Sequence, residues 1–226
     1  MRELFELCGA APELVFSPYC WRVRLALAHK GLDFVSRPVR FSDKAELAFS
    51  GQKLVPVLRD GSTTVNDSLA IFRYLDNEYP QHPLLGGALG ESRLRLIDQL
   101  IAQDLRPALF RLLVLRIYAL IDPADRDYFR QSREKNLGMT LEAFADLQAG
   151  QAQFDRALQP LNALLTAQPW LDGAEPAAAD YLIGGFFCWA WCLGEQPWAE
   201  DSPVGDWFTR LLSRYEQSHG PLRRAA

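Results

Sequence analysis

Ser17 stands immediately before Pro18 in SPYCWRVRLALAHKG, an apolar and basic stretch at residues 17–31. Serine is a favoured helix N-cap, and proline suits the first helical position because its missing N–H would be unpaired there anyway. A hydroxyl at the positive end of a helix can also donate a hydrogen bond to an anion and favour the charged form. Ser17 is therefore either a simple cap or a catalytic group, and the residues that the fold places beside it decide between the two roles.

Cys20 suggests a different chemistry for the same stretch, because SPYC has the spacing of a C-x-x-C redox motif with serine in the first place. In such motifs the first cysteine, at the helix N-terminus, is the attacking thiolate. Cys20 lies one turn further into the predicted helix, so we expect it to be an inert packed residue. A thiol reductase that uses Cys20 would lose its activity on Cys20→Ala and keep it on Ser17→Ala, whereas a catalytic Ser17 gives the reverse.

Two residue pairs further along the chain, Val55-Pro56 and Asp67-Ser68, are also candidates for a ligand site. Pro56 lies inside an apolar run, where proline removes a hydrogen bond from a strand ladder, so this edge is expected to stay free for another partner. Asp67-Ser68 opens a pattern with helical spacing, and by itself such a pair is more often a helix start than a ligand site. The two pairs indicate a ligand site only in combination with Ser17.

The first eighty residues alternate strand-like and helical patterns, which is typical of βαβ construction. An Asp60-Gly61 turn between two apolar runs predicts a β-hairpin, because glycine accepts a positive φ without strain. The predicted strands lie at 4–8, at 33–39 and in the two arms of the hairpin at 53–65, and the predicted helices run between Ser17 and Gly31 and from Asn66 or Asp67 to Glu78.

Residues 80–90, PQHPLLGGALG, are rich in proline and glycine and indicate a linker. From Glu91 onward the sequence shows helical spacing only. The predicted helices lie at 91–120, at 124–167 with a weak point at Gly138, at 177–194 and at 204–218. The predicted fold class is therefore an α/β domain followed by an all-α domain.

The composition is that of an ordinary soluble globular protein: 226 residues, 49% hydrophobic and 23% charged, with a net charge of −4. The acidic balance supplies no basic surface for a nucleic-acid backbone, so we expect no nucleic-acid partner. The longest apolar stretch, at 181–193, is too short to span a membrane and contains two glycines, so no membrane insertion is expected. The cysteines form no dense disulfide framework, which predicts a reducing cytoplasm.

The sequence predicts no metal site. Cys188 and Cys192 lie four residues apart on one helix face, but no histidine or second cysteine pair accompanies them, so packing among aromatic residues is the expected role. The histidines show neither Ser-His-Asp nor zinc spacing. The run RDYFRQSREK at 126–135 is predicted to be a solvated helix surface.

Taken together, Ser17, the Val55-Pro56 pair and the Asp67-Ser68 pair resemble the thioredoxin-like domain of the glutathione transferase family. The resemblance covers nearly the whole chain, and it implies a homodimer. It also implies two domains and a linker: a thioredoxin-like glutathione-binding domain at 1–80, a linker at 81–90 and an all-helical domain at 91–226 that forms the electrophile pocket.

The resemblance implies that glutathione is the co-substrate and assigns roles to the matching residues. Val55, before a cis Pro56, presents its N–H and C=O to the cysteinyl part of glutathione by strand addition. Asp67 and Ser68 bind the ammonium and carboxylate of the γ-glutamyl end. Ser17 is then a hydrogen-bond donor that favours the thiolate, since a free thiol has a pKa near ~8.5. We expect its hydroxyl to cap the helix in the empty protein and to turn toward the sulfur when glutathione binds.

The glycine carboxylate of glutathione has several candidate partners. Many members of the family carry glutamine, lysine or arginine just before the Val-Pro pair, where this chain has Leu54. Lys53 is the adjacent candidate, and Arg37 and Arg40 are the alternatives. The predicted glutathione site therefore includes Lys53 and Leu54 in addition to the residues named above.

The second half of the chain carries further resemblance. In ADYLIGG, Asp180 matches the aspartate of a capping motif in the family's buried helix, but Ala177 replaces the serine or threonine and cannot form the side-chain half of the motif. The strings SPYCWRVRLALAHKGLDF, FFCWAWCL and PWAEDSPVGDWF most resemble the bacterial β-etherase-type transferases, which cleave β-aryl ethers of lignin fragments by thiolate attack. An aromatic electrophile is implied, with Tyr19 and Phe110 as candidate pocket residues.

The predicted function is therefore a glutathione transferase with a small, aromatic electrophile. The alternative outside thiol chemistry is a non-catalytic binding module that keeps the same fold as an interaction surface. The retention of the serine together with both residue pairs argues against that alternative.

Overall fold

The computed structural model describes all residues from Met1 to Ala226. Its four strands are β1 (Arg2–Leu7), β2 (Val35–Val39), β3 (Val57–Asp60) and β4 (Thr63–Asn66). They form one mixed sheet in the order β2-β1-β3-β4, in which β1 is parallel to β2 and antiparallel to β3. β3 and β4 form the hairpin predicted at Asp60-Gly61, where Gly61 has a φ of 60°.

Pro56 lies outside the sheet, so the prediction that it interrupts a strand is wrong. β3 begins at Val57, and the proline therefore precedes the ladder and removes no hydrogen bond from it. The apolar run that contains Pro56 looks like one strand in the sequence because the side chains on both sides of the proline are hydrophobic.

Two helices cover one face of the sheet: α1 (Pro18–His29) and α2 (Ser68–Glu78). Strand side chains alternate between faces. Leu4 and Leu58 accordingly join the main core with both helices. Phe5 and Val57 face the other side and pack with Leu47 of a 3₁₀ helix (Lys44–Ser50).

From Ala88 to the C-terminus the chain contains helices and no strand of the sheet. These helices are α3 (Ala88–Leu100), α4 (Arg106–Leu120), α5 (Arg126–Leu137), α6 (Leu141–Phe144), α7 (Leu147–Ala167), α8 (Ala178–Cys192) and α9 (Pro203–His219). The thioredoxin-like sheet and the helical second half confirm the predicted fold class. No helix combines the length and the apolarity needed to cross a membrane.

The helical half differs from the prediction in three main respects. α3 begins inside the stretch assigned to the linker. The helix expected at 91–120 contains a π-helical turn at Ile101–Leu105. The helix expected at 124–167 is three helices: Gly138, with a φ of 70°, ends α5, and the side chains of Thr140 and Asp146 cap α6 and α7.

The larger hydrophobic core, of 49 buried residues, joins one face of the sheet, its two helices and the helical half. Its centre is the contact between α1 and α8. Gly185 permits that contact, because a Cβ there would lie 2.4 Å from the carbonyl oxygen of Pro18 and 2.9 Å from Cγ of Arg22. The first turn of α1 is therefore fixed directly against the helical half.

Candidate functional site

Several chain segments meet at one end of the sheet. Val57 lies opposite Phe5 on β1 and opposite Asn66 on β4, so the start of β3, the end of β4 and the end of β1 share that end. The N–H of Phe16 donates to the carbonyl of Leu7 (3.2 Å), which ties the segment before α1 to the same place. The structure therefore brings the serine, the Val-Pro pair and the Asp-Ser pair to one end of the sheet.

Ser17 is the N-cap residue of α1 and is only 5% exposed. Its carbonyl accepts the N–H of Trp21 at 3.0 Å, which begins the helix. Its hydroxyl, however, makes no capping hydrogen bond, so the expectation that the side chain caps the empty protein is wrong. Pro18 has no N–H to offer at the first helical position. Ser17 lines a cavity, and its hydroxyl is thus available to a ligand bound there.

Val55 is half-buried and precedes Pro56 across a cis peptide bond, as expected. Neither the N–H nor the C=O of Val55 takes part in a hydrogen bond within the chain. Unpaired backbone groups at the end of a sheet can pair with an extended ligand.

Asp67 is the N-cap of α2 and has a φ of 73°. Its Oδ1 accepts the N–H groups of Leu69 (2.9 Å) and Ala70 (3.1 Å), whereas Oδ2 accepts no hydrogen bond from the protein. Asp67 is exposed. One carboxylate oxygen therefore holds the helix start while the other is free to accept from a cationic group.

Ser68 is buried and accepts a hydrogen bond from Nη1 of Arg22 (3.4 Å). The same guanidinium donates through Nε to the carbonyl of Leu182 on α8 (3.2 Å) and through Nη2 to Asp98 on α3 (3.1 Å). Burial lowers the pKa of Arg22, and Asp98 acts against that shift. The apolar and basic residues of α1 alternate in a way that would place Arg22 on the more polar side of the helix. The structure instead buries Arg22, which joins the Ser68 end of the site to the helical half.

The candidate partners of the glycine carboxylate differ in whether they already form an ion pair within the protein. Arg37 forms an ion pair with Glu3 (2.7 Å) and Arg40 with Asp122 (3.2 Å). Lys53 is exposed and has no ion pair. The side chain of Gln52 hydrogen-bonds to the backbone N–H and C=O of Leu54, and the side chain of Leu54 is 75% exposed.

The cavity beside Ser17 has a volume of about 540 Å³ and lies between the start of α1 and the helical half. Tyr19 and Phe110 both line it. Tyr19 meets Phe186 edge to face, with ring centres 5.7 Å apart, and Phe110 is stacked parallel to Trp189 at 6.4 Å. Other apolar side chains complete the wall: Leu7, Phe16, Phe41, Ile117, Phe129, Leu137 and Phe144. This shape and lining suit a flat aromatic group.

The sequence did not predict the two arginines that line the cavity. Arg106, on α4, donates to the hydroxyl of Tyr19 (3.4 Å), and Arg133 lies on α5. The stretch 126–135 was predicted to be a solvated surface, but Phe129 within it is buried and both Phe129 and Arg133 face the cavity. Their spacing of four residues on one helix face was the available signal.

Cys20 is buried with 1% exposure inside α1. Burial raises the pKa of its thiol to about 12, and contact with the Ser17 hydroxyl offsets only part of that shift. A thiol with such a pKa is protonated and inaccessible at neutral pH. The structure therefore disfavours a reductase that attacks through Cys20. Cys188 and Cys192 are likewise buried within α8.

The start of α8 keeps half of the predicted capping motif. Asp180 accepts the N–H of Ala177 (3.2 Å), as expected, and also the N–H groups of Leu171 and Asp172 and the indole N–H of Trp207. Ala177 has no side-chain acceptor. Asp172 replaces it by accepting the N–H of Ala179 at 2.7 Å. This arrangement fixes the helix whose aromatic residues form one wall of the cavity.

The family relationship follows from two domain models that match the chain. The model of the glutathione S-transferase N-terminal domain matches residues 12–83, and that of the C-terminal domain matches residues 95–218, which is more than half of the chain. The chain belongs to the glutathione S-transferase family. The serine, the cis-proline and the aromatic cavity of this glutathione S-transferase all lie within or directly beside the matched ranges.

Relatives of this glutathione S-transferase match it over part of its length. Glutathione S-transferase Z1 of Arabidopsis thaliana is 45% identical over 69 residues, which cover 28% of this chain and 31% of that protein. Maleylacetoacetate isomerase of Pseudomonas aeruginosa is 38% identical over 96 residues, which cover 38% of this chain and 45% of that protein. The chain thus spans about a third to a half of the length of these relatives.

Solved structures share the fold over almost the whole chain. Glutathione transferase GSTFuA3 of Phanerochaete chrysosporium has a TM-score of 0.83 at 23% identity and covers 95% of this chain and 97% of its own. A glutathione S-transferase of Ceriporiopsis subvermispora, solved in complex with glutathione, has a TM-score of 0.81 at 23% identity. The match covers 96% of this chain and 97% of that chain. These structures establish the fold of this glutathione S-transferase.

Proposed function

We propose that this protein is an enzyme that directs the thiolate of glutathione at an aromatic electrophile, with cleavage of a β-aryl ether as the reaction it most resembles. One observation carries the proposal. A buried serine at the start of α1 leaves its hydroxyl out of helix capping and lines a cavity walled by aromatic side chains. A hydroxyl donor stabilises a thiolate, and an apolar pocket beside it can hold a flat electrophile.

Glutathione binding is supported by groups that the protein itself leaves unpaired. Val55 offers an N–H and a C=O to the cysteinyl unit, and Oδ2 of Asp67 offers an acceptor to the ammonium of the γ-glutamyl unit. Ser68, oriented by Arg22, lies at the start of α2, where a carboxylate is favoured. Lys53 is the cation without an ion pair near the glycine end. The Ceriporiopsis relative was solved in complex with glutathione, which supports glutathione as the ligand.

The chemistry is a nucleophilic displacement. Ser17 donates to the glutathione sulfur, and the positive end of α1 further favours the thiolate. The sulfur forms a bond to the carbon that carries the leaving group, and the carbon–oxygen bond of the aryl ether breaks. The phenolate leaves with the bonding electron pair and takes a proton from water. The aromatic wall holds the acceptor and excludes competing water.

Calorimetry with glutathione, followed by turnover of a panel of acceptors, tests the proposal. The panel contains a model β-aryl ether, a halogenated nitroaromatic and a mixed disulfide. We expect glutathione to bind at millimolar concentration or below and the first two acceptors to be converted. Absence of glutathione binding contradicts the enzymatic proposal, and conversion of the disulfide alone would assign a reductase.

The matches to maleylacetoacetate isomerases favour a second candidate, a glutathione-dependent isomerase. A thiolate can isomerise a double bond by adding to it and leaving again after rotation, and such a reaction does not consume glutathione. Measuring glutathione consumption per turnover distinguishes the two candidates, because displacement consumes one glutathione for each product formed.

We also propose that the protein acts as a homodimer. Leu89, Leu96 and Leu100 recur at seven- and four-residue spacing on one face of α3, and they are 82%, 63% and 49% exposed. A row of exposed leucines on one helix face is typical of a surface that another chain covers. Sedimentation should give a dimer, and Leu96→Glu should shift it toward the monomer.

A further inference from the structure

Arg133 is a cation in the cavity wall without an anionic partner. Its guanidinium carbon lies 5.0 Å from the ring centre of Phe129 and 5.7 Å from that of Phe41. Its one hydrogen bond goes to Oγ of the adjacent Ser132 (3.1 Å). It forms no ion pair, although the neighbouring Arg130 on the same helix pairs with two glutamates. Four of the five N–H donors of Arg133 are therefore unused.

Two arginines that are more deeply buried are compensated by carboxylates. Arg22 pairs with Asp98 at 3.1 Å, and Arg24 pairs with Glu6 at 2.5 Å. Burial lowers the pKa of Arg133, and only the hydroxyl of Tyr128 opposes this effect. The guanidinium nevertheless stays protonated. Arg133 thus keeps a positive charge in an apolar wall at a desolvation cost that no carboxylate offsets.

The rest of the cavity adds no negative charge. None of its lining residues is acidic, and its second cation, Arg106, donates to the phenol of Tyr19 (3.4 Å). An anion that enters the cavity therefore meets positive charge and apolar walls. A guanidinium binds a carboxylate through two parallel N–H···O bonds, and its fork is the group best suited to that anion.

We propose that Arg133 selects aromatic electrophiles that carry a carboxylate and binds that carboxylate in the cavity. The proposal deepens the proposed function, since it concerns the acceptor that the glutathione thiolate attacks. Arg133 acts in specificity, by pairing with a group that is not displaced. The phenyl rings on either side of its guanidinium position it for that pairing.

Binding of unreactive aromatic compounds tests this role without glutathione. We would measure 3,5-dinitrobenzoate and the neutral 3,5-dinitrobenzamide by calorimetry and by quenching of Trp189, which lines the cavity. The unmodified protein should bind the benzoate at least about tenfold more tightly, the size expected for one charged hydrogen-bonded pair. Arg133→Gln should abolish the preference, and Arg133→Lys should restore part of it.

Lys135→Gln is the matched control, because Lys135 is exposed on the same helix and does not line the cavity. It removes the same charge and should keep the preference. Equal binding of the two compounds by the unmodified protein overturns the proposal, as does a preference that survives in Arg133→Gln. A preference that is lost in Arg106→Gln but kept in Arg133→Gln also overturns it.

Turnover measurements distinguish a failure of the carboxylate preference from a failure of the proposed function. With glutathione, 4-chloro-3,5-dinitrobenzoate and its amide each lose chloride to the thiolate, and the benzoate should have the higher kcat/KM relative to the uncatalysed reaction. Carboxylate-selective binding without any conjugation contradicts the proposed function and leaves the role of Arg133 intact. Conjugation of both compounds without selectivity contradicts the role of Arg133 and leaves the proposed function intact.

Discussion

Removal of the Ser17 hydroxyl should raise the pKa of the bound glutathione thiol. The residue is 5% exposed and its hydroxyl makes no cap, so alanine removes a donor to sulfur without breaking a helix start. A hydrogen bond to a charged group contributes about 1.5–3 kcal/mol, which corresponds to about 1–2 pKa units. Ser17→Ala should therefore raise the thiol pKa by about that amount and lower kcat/KM about 10- to 100-fold at a pH below the pKa.

The assay is a titration of thiolate absorbance in the ultraviolet at saturating glutathione, together with the pH dependence of kcat/KM. The acidic limb of the pH profile should move to higher pH in Ser17→Ala by as much as the absorbance titration does. Ser17→Thr keeps a hydroxyl and should stay close to the unmodified enzyme, and Cys20→Ala should leave the titration unchanged. Superimposed titrations of the unmodified protein and Ser17→Ala, or a shift caused by Cys20→Ala, would refute this reasoning.

Three further predictions concern the framework of the site. Asp180→Ala leaves four buried or partly buried N–H donors without their acceptor and should lower the free energy of unfolding by at least about 3 kcal/mol in urea titrations, whereas a loss below about 1 kcal/mol contradicts the capping role. Gly185→Ala forces a methyl group against the first turn of α1 and should cost about 1–3 kcal/mol and reduce conjugation; unchanged activity and stability would show that α1 need not be held there. Burial raises the pKa of every cysteine thiol, so Ellman's reagent at pH 8 should label none of them in the native protein and all of them in denaturant: Cys8, Cys20, Cys188 and Cys192.

Local signals predicted the fold well. The starts of α1 and α2 and the Asp-Gly hairpin depend on residues within a few positions of one another, and each forms as expected, with Asp67 rather than Asn66 as the cap of α2. Pro56 was placed inside a strand because hydrophobicity does not show where ladder pairing begins. The π-helical turn at 101–105 carries no glycine or proline that would mark it in the sequence.

The candidate site was predictable only in part, because several of its contacts join distant segments. Arg22 looked like a surface residue, since nothing near it in sequence indicates that Asp98, 76 positions away, compensates its charge. Arg133 looked solvated partly for the same reason, because Phe41, one of the two rings beside its guanidinium, comes from a separate segment. Charged side chains acquire their roles from tertiary partners, and a single sequence does not display those partners.

The contacts of Arg22 have a consequence for protein engineering. One guanidinium joins α1 to residues of α2, α3 and α8, so its geometry depends on both halves of the chain at once. A chimaera that grafts the helical half of another family member onto this sheet would separate Arg22 from Asp98. Such exchanges should succeed when Asp98 on α3 and Gly185, which faces α1, are kept together in the grafted half. The acceptor preference could then be exchanged while the glutathione-binding end of the site stays intact.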